Sequence, residues 1–95
     1  MVVTDSWGNL VEGRHKPSSG TFAHAYLCRQ MPEVGAVAHT HSTYATAWAA
    51  CRQPIPCVLT MMGDEFGGET QAGPFALIGD DSIGRGIVDS PANSR

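Results

Sequence analysis

The 95-residue sequence predicts one small domain of the α/β or mixed α+β class. Two observations lead to this class. Short apolar runs bounded by Gly or Pro are typical of strands, and apolar residues that recur every three or four positions are typical of amphipathic helices. The two kinds of segment alternate along the chain, without an internal repeat.

The first elements are predicted to be a hairpin followed by a helix. Residues 2–5 and 10–13 have the composition of two short strands around a turn at Gly8 and Asn9. A loop at residues 16–21 then leads into a helix whose apolar positions 23, 26, 27 and 31 share one face. Pro32 ends that helix, because proline has no backbone N–H with which to continue it.

A central strand is predicted at residues 35–41, an apolar run that ends in two histidines one residue apart. Side chains alternate between the two faces of a strand, so His39 and His41 would project from the same face, close enough to share one metal ion. Neutral imidazole suits zinc and other first-row divalent cations. The alternative is a pair of ordinary, hydrogen-bonded histidines at the end of a strand.

The second half of the chain is predicted to hold two more helices and two more strands. Ser42 is placed to cap a helix whose apolar stripe, at positions 44, 47, 48 and 51, is interpreted as core packing and ends before Pro54. Strands are expected at residues 55–60 and 75–78, separated by a loop at residues 64–68. Two acidic residues and Ser82 then precede a short helix that is predicted to end at residue 88. Residues 90–95 are polar and are expected to fray.

Composition narrows the classes of function. A net charge of −3 and a pI near 5.7 argue against nucleic acid or a membrane surface as a partner, since there is no stripe of Lys and Arg. No segment is apolar enough to cross a bilayer and no signal peptide is recognisable, so a cytoplasmic location is expected.

Cys28, Cys51 and Cys57 form no C-x-x-C pair and indicate neither a zinc site nor a disulfide framework. Cys28 and Cys51 are expected in the core.

The sequence resembles the class II aldolase/adducin family over about residues 3–92, in four segments: NLVEG at 9–13, KPSS at 16–19, HTHS at 39–42 and DEFGG at 64–68. Within that family it is most similar to the L-ribulose-5-phosphate 4-epimerases. The resemblance implies a three-layer α/β/α sandwich around a mostly antiparallel sheet, of which these residues form the central part. It also implies a homotetramer with active sites between subunits.

The resemblance assigns roles to five residues. His39 and His41 match two of the three histidines that hold a catalytic divalent metal, commonly Zn²⁺. Ser18 and Ser19 match a serine pair that helps to hold the phosphate of a sugar-phosphate substrate. Asp64 matches an aspartate that serves acid/base chemistry. In the implied reaction the metal stabilises an enediolate, while a carbon–carbon bond breaks and forms again with inverted configuration at C4.

The sequence also departs from the family's pattern. The position after the serine pair, usually acidic in the family, is Gly20, and His24 matches a helix histidine that is expected to be structural. His15 is expected to be an exposed loop residue. The third metal histidine is expected downstream of residue 95, and neither the family's N-terminal phosphate loop nor its C-terminal helix is found in these residues. We therefore expect residues 1–95 to be part of a larger domain, with negligible activity alone.

Two alternatives to the epimerase remain open. One is a zinc-dependent aldolase that acts on another sugar phosphate, such as L-fuculose 1-phosphate, and shares the metal and phosphate sites. The other is a non-catalytic interaction module like the adducin head, which keeps the fold without the chemistry. Gly20 favours the interaction module, whereas the His39/His41 pair counts against it.

Overall fold

The computed structural model describes residues 1–90, so most of the tail predicted to fray, residues 90–95, lies outside the described part. The elements, in chain order, are β1 (Val3–Thr4), β2 (Leu10–Glu12), α1 (Thr21–Gln30), α2 (Thr43–Ala50), α3 (Thr60–Phe66) and α4 (Ser82–Val88). Contacts divide them into two units, which are described separately. The first unit consists of residues 1–38 and 75–89, and the second of residues 39–74.

The hairpin predicted at the start of the first unit is confirmed. β1 and β2 pair antiparallel, with an irregularity in the register between residues 3 and 4. The Asp5 carboxylate accepts hydrogen bonds from the backbone N–H groups of Trp7 (2.9 Å) and Asn9 (2.8 Å), which closes the turn. Gly8 lies in this turn at a φ of +85°, a value that few residues other than glycine adopt.

Helix α1 is also confirmed, and it carries the buried core of the first unit. Ala23, Ala25 and Leu27 are buried, and they are the buried hydrophobic residues among residues 1–90. The helix ends one residue short of Met31, whose backbone N–H donates to the Leu27 carbonyl at 2.8 Å, just before Pro32. One prediction here is wrong. Cys28 is exposed, because α4 packs on α1 at Ala23 and Tyr26, and Cys28 lies on the opposite side of that helix.

Helix α4 begins where the sequence predicts it and packs against α1. The Asp80 carboxylate accepts a hydrogen bond from the Ser82 backbone N–H at 2.8 Å. The contact between the helices is close at Gly84, where a β-carbon would lie 2.7 Å from the Tyr26 β-carbon. The strand predicted at residues 75–78 is not found, and Phe75 is 86% exposed. These residues have no neighbouring strand in the described part of the chain with which to form a ladder.

The prediction of a strand is wrong for the histidine segment, residues 35–41, of which residues from His39 onward belong to the second unit. Residues 35–41 form no regular element. Isolated apolar runs become strands only when a neighbouring backbone pairs with them, and β1 and β2 form the one sheet within residues 1–90.

Helix α2 forms as predicted, but its apolar stripe is not in a core. The Ser42 hydroxyl caps the helix by accepting from the Ala45 backbone N–H at 3.4 Å. Every residue of α2 is exposed, including Tyr44 at 88%, and Cys51 after it is exposed too. Periodicity shows which residues share a face, but burial of that face depends on a partner, and no helix or strand within residues 1–90 packs closely against α2.

Helix α3 spans Thr60–Phe66, where the sequence predicts the end of a strand and the start of a loop. The strand expected at residues 55–60 is reduced to one antiparallel bridge between Ile55 and Thr70, with hydrogen bonds of 2.8 and 3.0 Å. Gly67 ends α3 at a φ of +69°, the left-handed conformation common after a helix. None of the helices in residues 1–90 has the length and apolar character needed to cross a membrane.

Candidate functional site

The two histidines of the HTHS segment lie side by side immediately before α2. The His39 and His41 ring centroids are 4.9 Å apart, and the ring planes are inclined by 19°. Both residues are exposed, so their rings are accessible to an ion from solvent. The predicted proximity of the pair is therefore present, although it arises in irregular backbone rather than at the end of a strand. Ser42 follows directly and caps the start of α2.

The chemistry of this pair fits part of a metal site. Two neutral imidazoles supply two of the nitrogen ligands that zinc prefers, whereas a catalytic zinc site uses three protein ligands and one open position. No group of three His, Cys, Asp or Glu side chains that could hold a metal occurs within residues 1–90. The histidine pair is therefore an incomplete donor set that needs at least one further ligand.

The serine pair lies at the beginning of α1, in the first unit. Ser18 and Ser19 are both exposed. The Ser18 hydroxyl accepts a hydrogen bond from the Gly20 backbone N–H at 3.3 Å, and the Ser18 carbonyl accepts one from the Thr21 N–H at 3.0 Å. Gly20 is the N-cap residue and provides no side chain to cap the helix. The Gly20 and Thr21 N–H groups therefore already have an acceptor in Ser18, and an anion near the serines would first meet their hydroxyl groups.

Asp64 lies inside α3, not in the loop that the sequence predicts. Its carboxylate is exposed, and it does not join the histidines in a three-residue metal-binding group. The prediction of a loop rested on the glycines at 67 and 68. They mark the end of the helix instead, because glycine adopts the left-handed conformation there.

The sequence gives no indication of an arginine network in the first unit. The Arg29 guanidinium pairs with the Asp81 carboxylate at 3.0 Å, donates to the Ser6 carbonyl, and stacks 4.3 Å above the Trp7 ring. A groove of about 450 Å³ lies beside it, lined in part by Phe22. Arg29 and Asp81 are 52 positions apart, so no local pattern could pair them.

The Asp80 carboxyl at the edge of the same groove has a pKa below its ordinary value. Its hydrogen bonds with Ser82 are the main cause, and the positive charge of Arg85 adds to them. The groove thus contains two carboxylates and two guanidinium groups, with no excess of either charge. The groove therefore has no net positive charge with which to attract an anion.

Comparison with known proteins agrees with the resemblance seen in the sequence. The family described as Class II Aldolase and Adducin N-terminal domain matches residues 1–94. Three relatives are L-ribulose-5-phosphate 4-epimerase UlaF from Salmonella paratyphi B, from Salmonella paratyphi A and from Salmonella typhi. Each is 49% identical to this chain over 69 residues, which is 73% of the chain and 30% of the relative.

The matched stretch thus spans less than a third of the length of those epimerases. No solved structure matches the chain. The match to the family covers nearly every residue, including the serine pair, the histidine pair and Asp64. The chain belongs to the class II aldolase and adducin family.

Proposed function

We propose that this chain carries metal-binding and phosphate-binding residues of an L-ribulose-5-phosphate 4-epimerase, which inverts C4 of a pentulose phosphate by breaking and re-forming a carbon–carbon bond. Membership of the family and the 49% identity to three proteins with that name support the proposal. The observation that carries it is the side-by-side placement of the His39 and His41 rings, 4.9 Å apart. For the complete protein we propose the three-layer sandwich and the homotetramer that the resemblance implies.

In this proposal His39 and His41 hold the divalent metal, most simply Zn²⁺, through one nitrogen each. When bound, the metal supplies Lewis-acid polarisation of the substrate carbonyl. The neutral imidazole is the form that ligates, so protonation of either ring competes with the metal. With two imidazoles in place of three protein ligands, affinity for zinc is lower than in a complete catalytic site.

Ser18 and Ser19 hold the substrate phosphate, and Asp64 exchanges a proton with the substrate. A hydroxyl at C4 must lose its proton as the C3–C4 bond breaks and regain it when the bond forms again. A carboxylate such as that of Asp64 can accept and return this proton. The exposure of both serines and of Asp64 leaves them accessible to a small polar substrate.

Zinc titration by calorimetry tests the metal site directly. We expect one zinc ion per chain, with binding lost in His39→Ala and in His41→Ala. His15→Ala is the matched control, because His15 is also exposed but lies before the serine pair. Undiminished zinc binding in either of the first two variants would contradict the assignment.

A second candidate function is the non-catalytic interaction module, favoured by Gly20 at a position where the family resemblance implies that an acidic residue is usual. An interaction module should bind no zinc at the histidine pair, so the same titration separates the two candidates.

An activity assay tests the proposed epimerisation. We expect the 95-residue chain with added zinc to epimerise L-ribulose 5-phosphate negligibly, and turnover comparable to that of a full-length epimerase would refute this. Release of an aldehyde without epimerisation would indicate an aldolase.

A further inference from the structure

The groove of about 450 Å³ in the first unit is formed by a different set of residues from those of the proposed function. Two aromatic rings and four charged side chains contribute to its lining: Trp7, Phe22, Arg29, Asp80, Asp81 and Arg85. Sites for small molecules are about 300–1,000 Å³ in volume and combine apolar walls with a few polar groups. The groove has both properties, so we examined which ligand its charges would fit.

Two of the four charges compensate one another. The Arg29 guanidinium pairs with the Asp81 carboxylate at 3.0 Å and stacks 4.3 Å above the Trp7 ring. The Arg29 side chain is only 12% exposed, so this pair is part of the wall. Because both charges are already paired, they offer little attraction to a charged ligand.

The other two charges are not paired. Asp80 and Arg85 are exposed, and neither forms an ion pair with any residue in the described part of the chain. Hydrogen bonds with Ser82 lower the pKa of Asp80, and the positive charge of Arg85 lowers it further, so this carboxyl group is ionised at neutral pH. The groove therefore presents one carboxylate and one guanidinium group to solvent. This arrangement fits a ligand with one charge of each sign better than an anion or a cation.

The aromatic rings provide an apolar surface beside these charges. The Trp7 ring is beside the groove, and the residue is 66% exposed. The Phe22 ring packs against the hairpin turn, where a β-carbon at Gly8 would lie 3.5 Å from it. Exposed aromatic rings bind other aromatic rings in offset-stacked or edge-to-face contacts. The apolar part of a fitting ligand is therefore an aromatic ring.

We propose that this groove binds a free aromatic α-amino acid in its zwitterionic form. The Asp80 carboxylate accepts hydrogen bonds from the ammonium group of the ligand, and the Arg85 guanidinium donates to the ligand carboxylate. The ring of the ligand packs against Trp7 and Phe22. A ligand that lacks either charge leaves the opposite charge of the protein without a partner.

Fluorescence titration of the 95-residue chain with L-phenylalanine tests the inference. Trp7 and Trp48 are the two tryptophans, so a Trp48→Phe background leaves Trp7 as the reporter. Hydrocinnamate lacks the ammonium group, phenethylamine lacks the carboxylate, and N-acetyl-phenylalaninamide represents a residue within a protein. We expect saturable binding of L-phenylalanine and about tenfold weaker binding of each analogue, because each loses at least one charge-assisted hydrogen bond.

Single substitutions assign each charge to its partner. Asp80→Asn should weaken binding of L-phenylalanine about tenfold and remove its preference over hydrocinnamate. Arg85→Gln should do the same for the preference over phenethylamine. Asp89→Asn and Arg14→Gln are the matched controls, because they remove exposed charges of the same unit from residues that do not line the groove.

Three outcomes would overturn the inference. One is the absence of a saturable change in Trp7 emission with L-phenylalanine. Another is equal binding of L-phenylalanine and its analogues to the unsubstituted groove, a comparison that does not depend on how a groove variant folds. The third is an equal loss of binding in the control variants, which would indicate a general effect of charge. Zinc binding at the histidine pair is measured separately, so these outcomes leave the proposed function unaffected.

Discussion

Gly84 in α4 is the position where one added methyl group should have the clearest effect on stability. An alanine β-carbon at this position would lie 2.7 Å from the Tyr26 β-carbon and 2.9 Å from the Ala23 carbonyl oxygen. Carbon atoms in good contact are about 3.5–4.0 Å apart, so Gly84→Ala requires α4 to move away from α1 by about 1 Å. Tyr26 cannot relieve the overlap by changing rotamer, because its β-carbon is fixed by the backbone.

Two opposing effects set the magnitude. Overpacking of this kind costs about 1–3 kcal/mol. Alanine in place of glycine inside a helix returns about 1 kcal/mol through its better helix propensity. We therefore expect Gly84→Ala to lower the free energy of unfolding of the first unit by about 1 kcal/mol, the difference between these effects. For a small domain this corresponds to a melting temperature about 4–8 °C lower.

Gly63→Ala in α3 is the matched control. A β-carbon there would meet only the Cys57 sulfur, at 3.7 Å, which is an ordinary contact. This substitution gains helix propensity without overpacking, so it should be neutral or stabilising by up to about 1 kcal/mol. Thermal unfolding followed by circular dichroism, with amide hydrogen exchange to assign the change to α1 and α4 or to α3, measures both variants. If Gly84→Ala is as stable as Gly63→Ala, the close contact between α1 and α4 is refuted.

Three further predictions concern single residues. Arg52 has a φ of +54° directly after α2, so Arg52→Gly should raise the stability of that helix by about 1 kcal/mol in thermal unfolding, and a loss would contradict the strained backbone. Arg29→Ala removes an ion pair, a hydrogen bond and the stack on Trp7, so it should cost about 2 kcal/mol and shift the Trp7 fluorescence, whereas an unchanged spectrum would argue against the stack. Hydrogen bonds from the Asn9 side chain, then its backbone, lower the pKa of Asp5 below 3.8, so the turn is stabilised above that pH and loosens as pH falls through the lowered value. The Asn9 amide signal should report this transition below about pH 4, and Asp5→Asn should abolish it.

Elements that depend on local chemistry were predictable from the sequence. The hairpin follows from the turn residues around Gly8, and α1 follows from a helical pattern that Pro32 ends. The capping of α2 by Ser42 is equally local, because a hydroxyl reaches the N–H group three residues ahead. Each of these depends on interactions within a few residues of the chain, so neighbouring positions contain all the information that is needed.

Predictions that needed a distant partner failed. The strands expected at residues 35–41 and 75–78 have no strand to pair with within residues 1–90, and no helix or strand there packs closely on the α2 stripe. A strand and a buried face are properties of two segments together, so an apolar pattern in one of them is insufficient. The Arg29–Asp81 pair could not be predicted for the same reason, because its two residues are 52 positions apart.

The candidate site shows the same difference between what is local in the chain and what depends on distant segments. The residue types are evident from the sequence: two histidines with one residue between them, two serines before a helix, and an aspartate near two glycines. The stacking of the His39 and His41 rings in irregular backbone and the position of Asp64 within α3 are seen only in the folded chain. Side-chain chemistry belongs to each residue and can be identified from the sequence, whereas the placement of side chains depends on which segments of the backbone pack and pair.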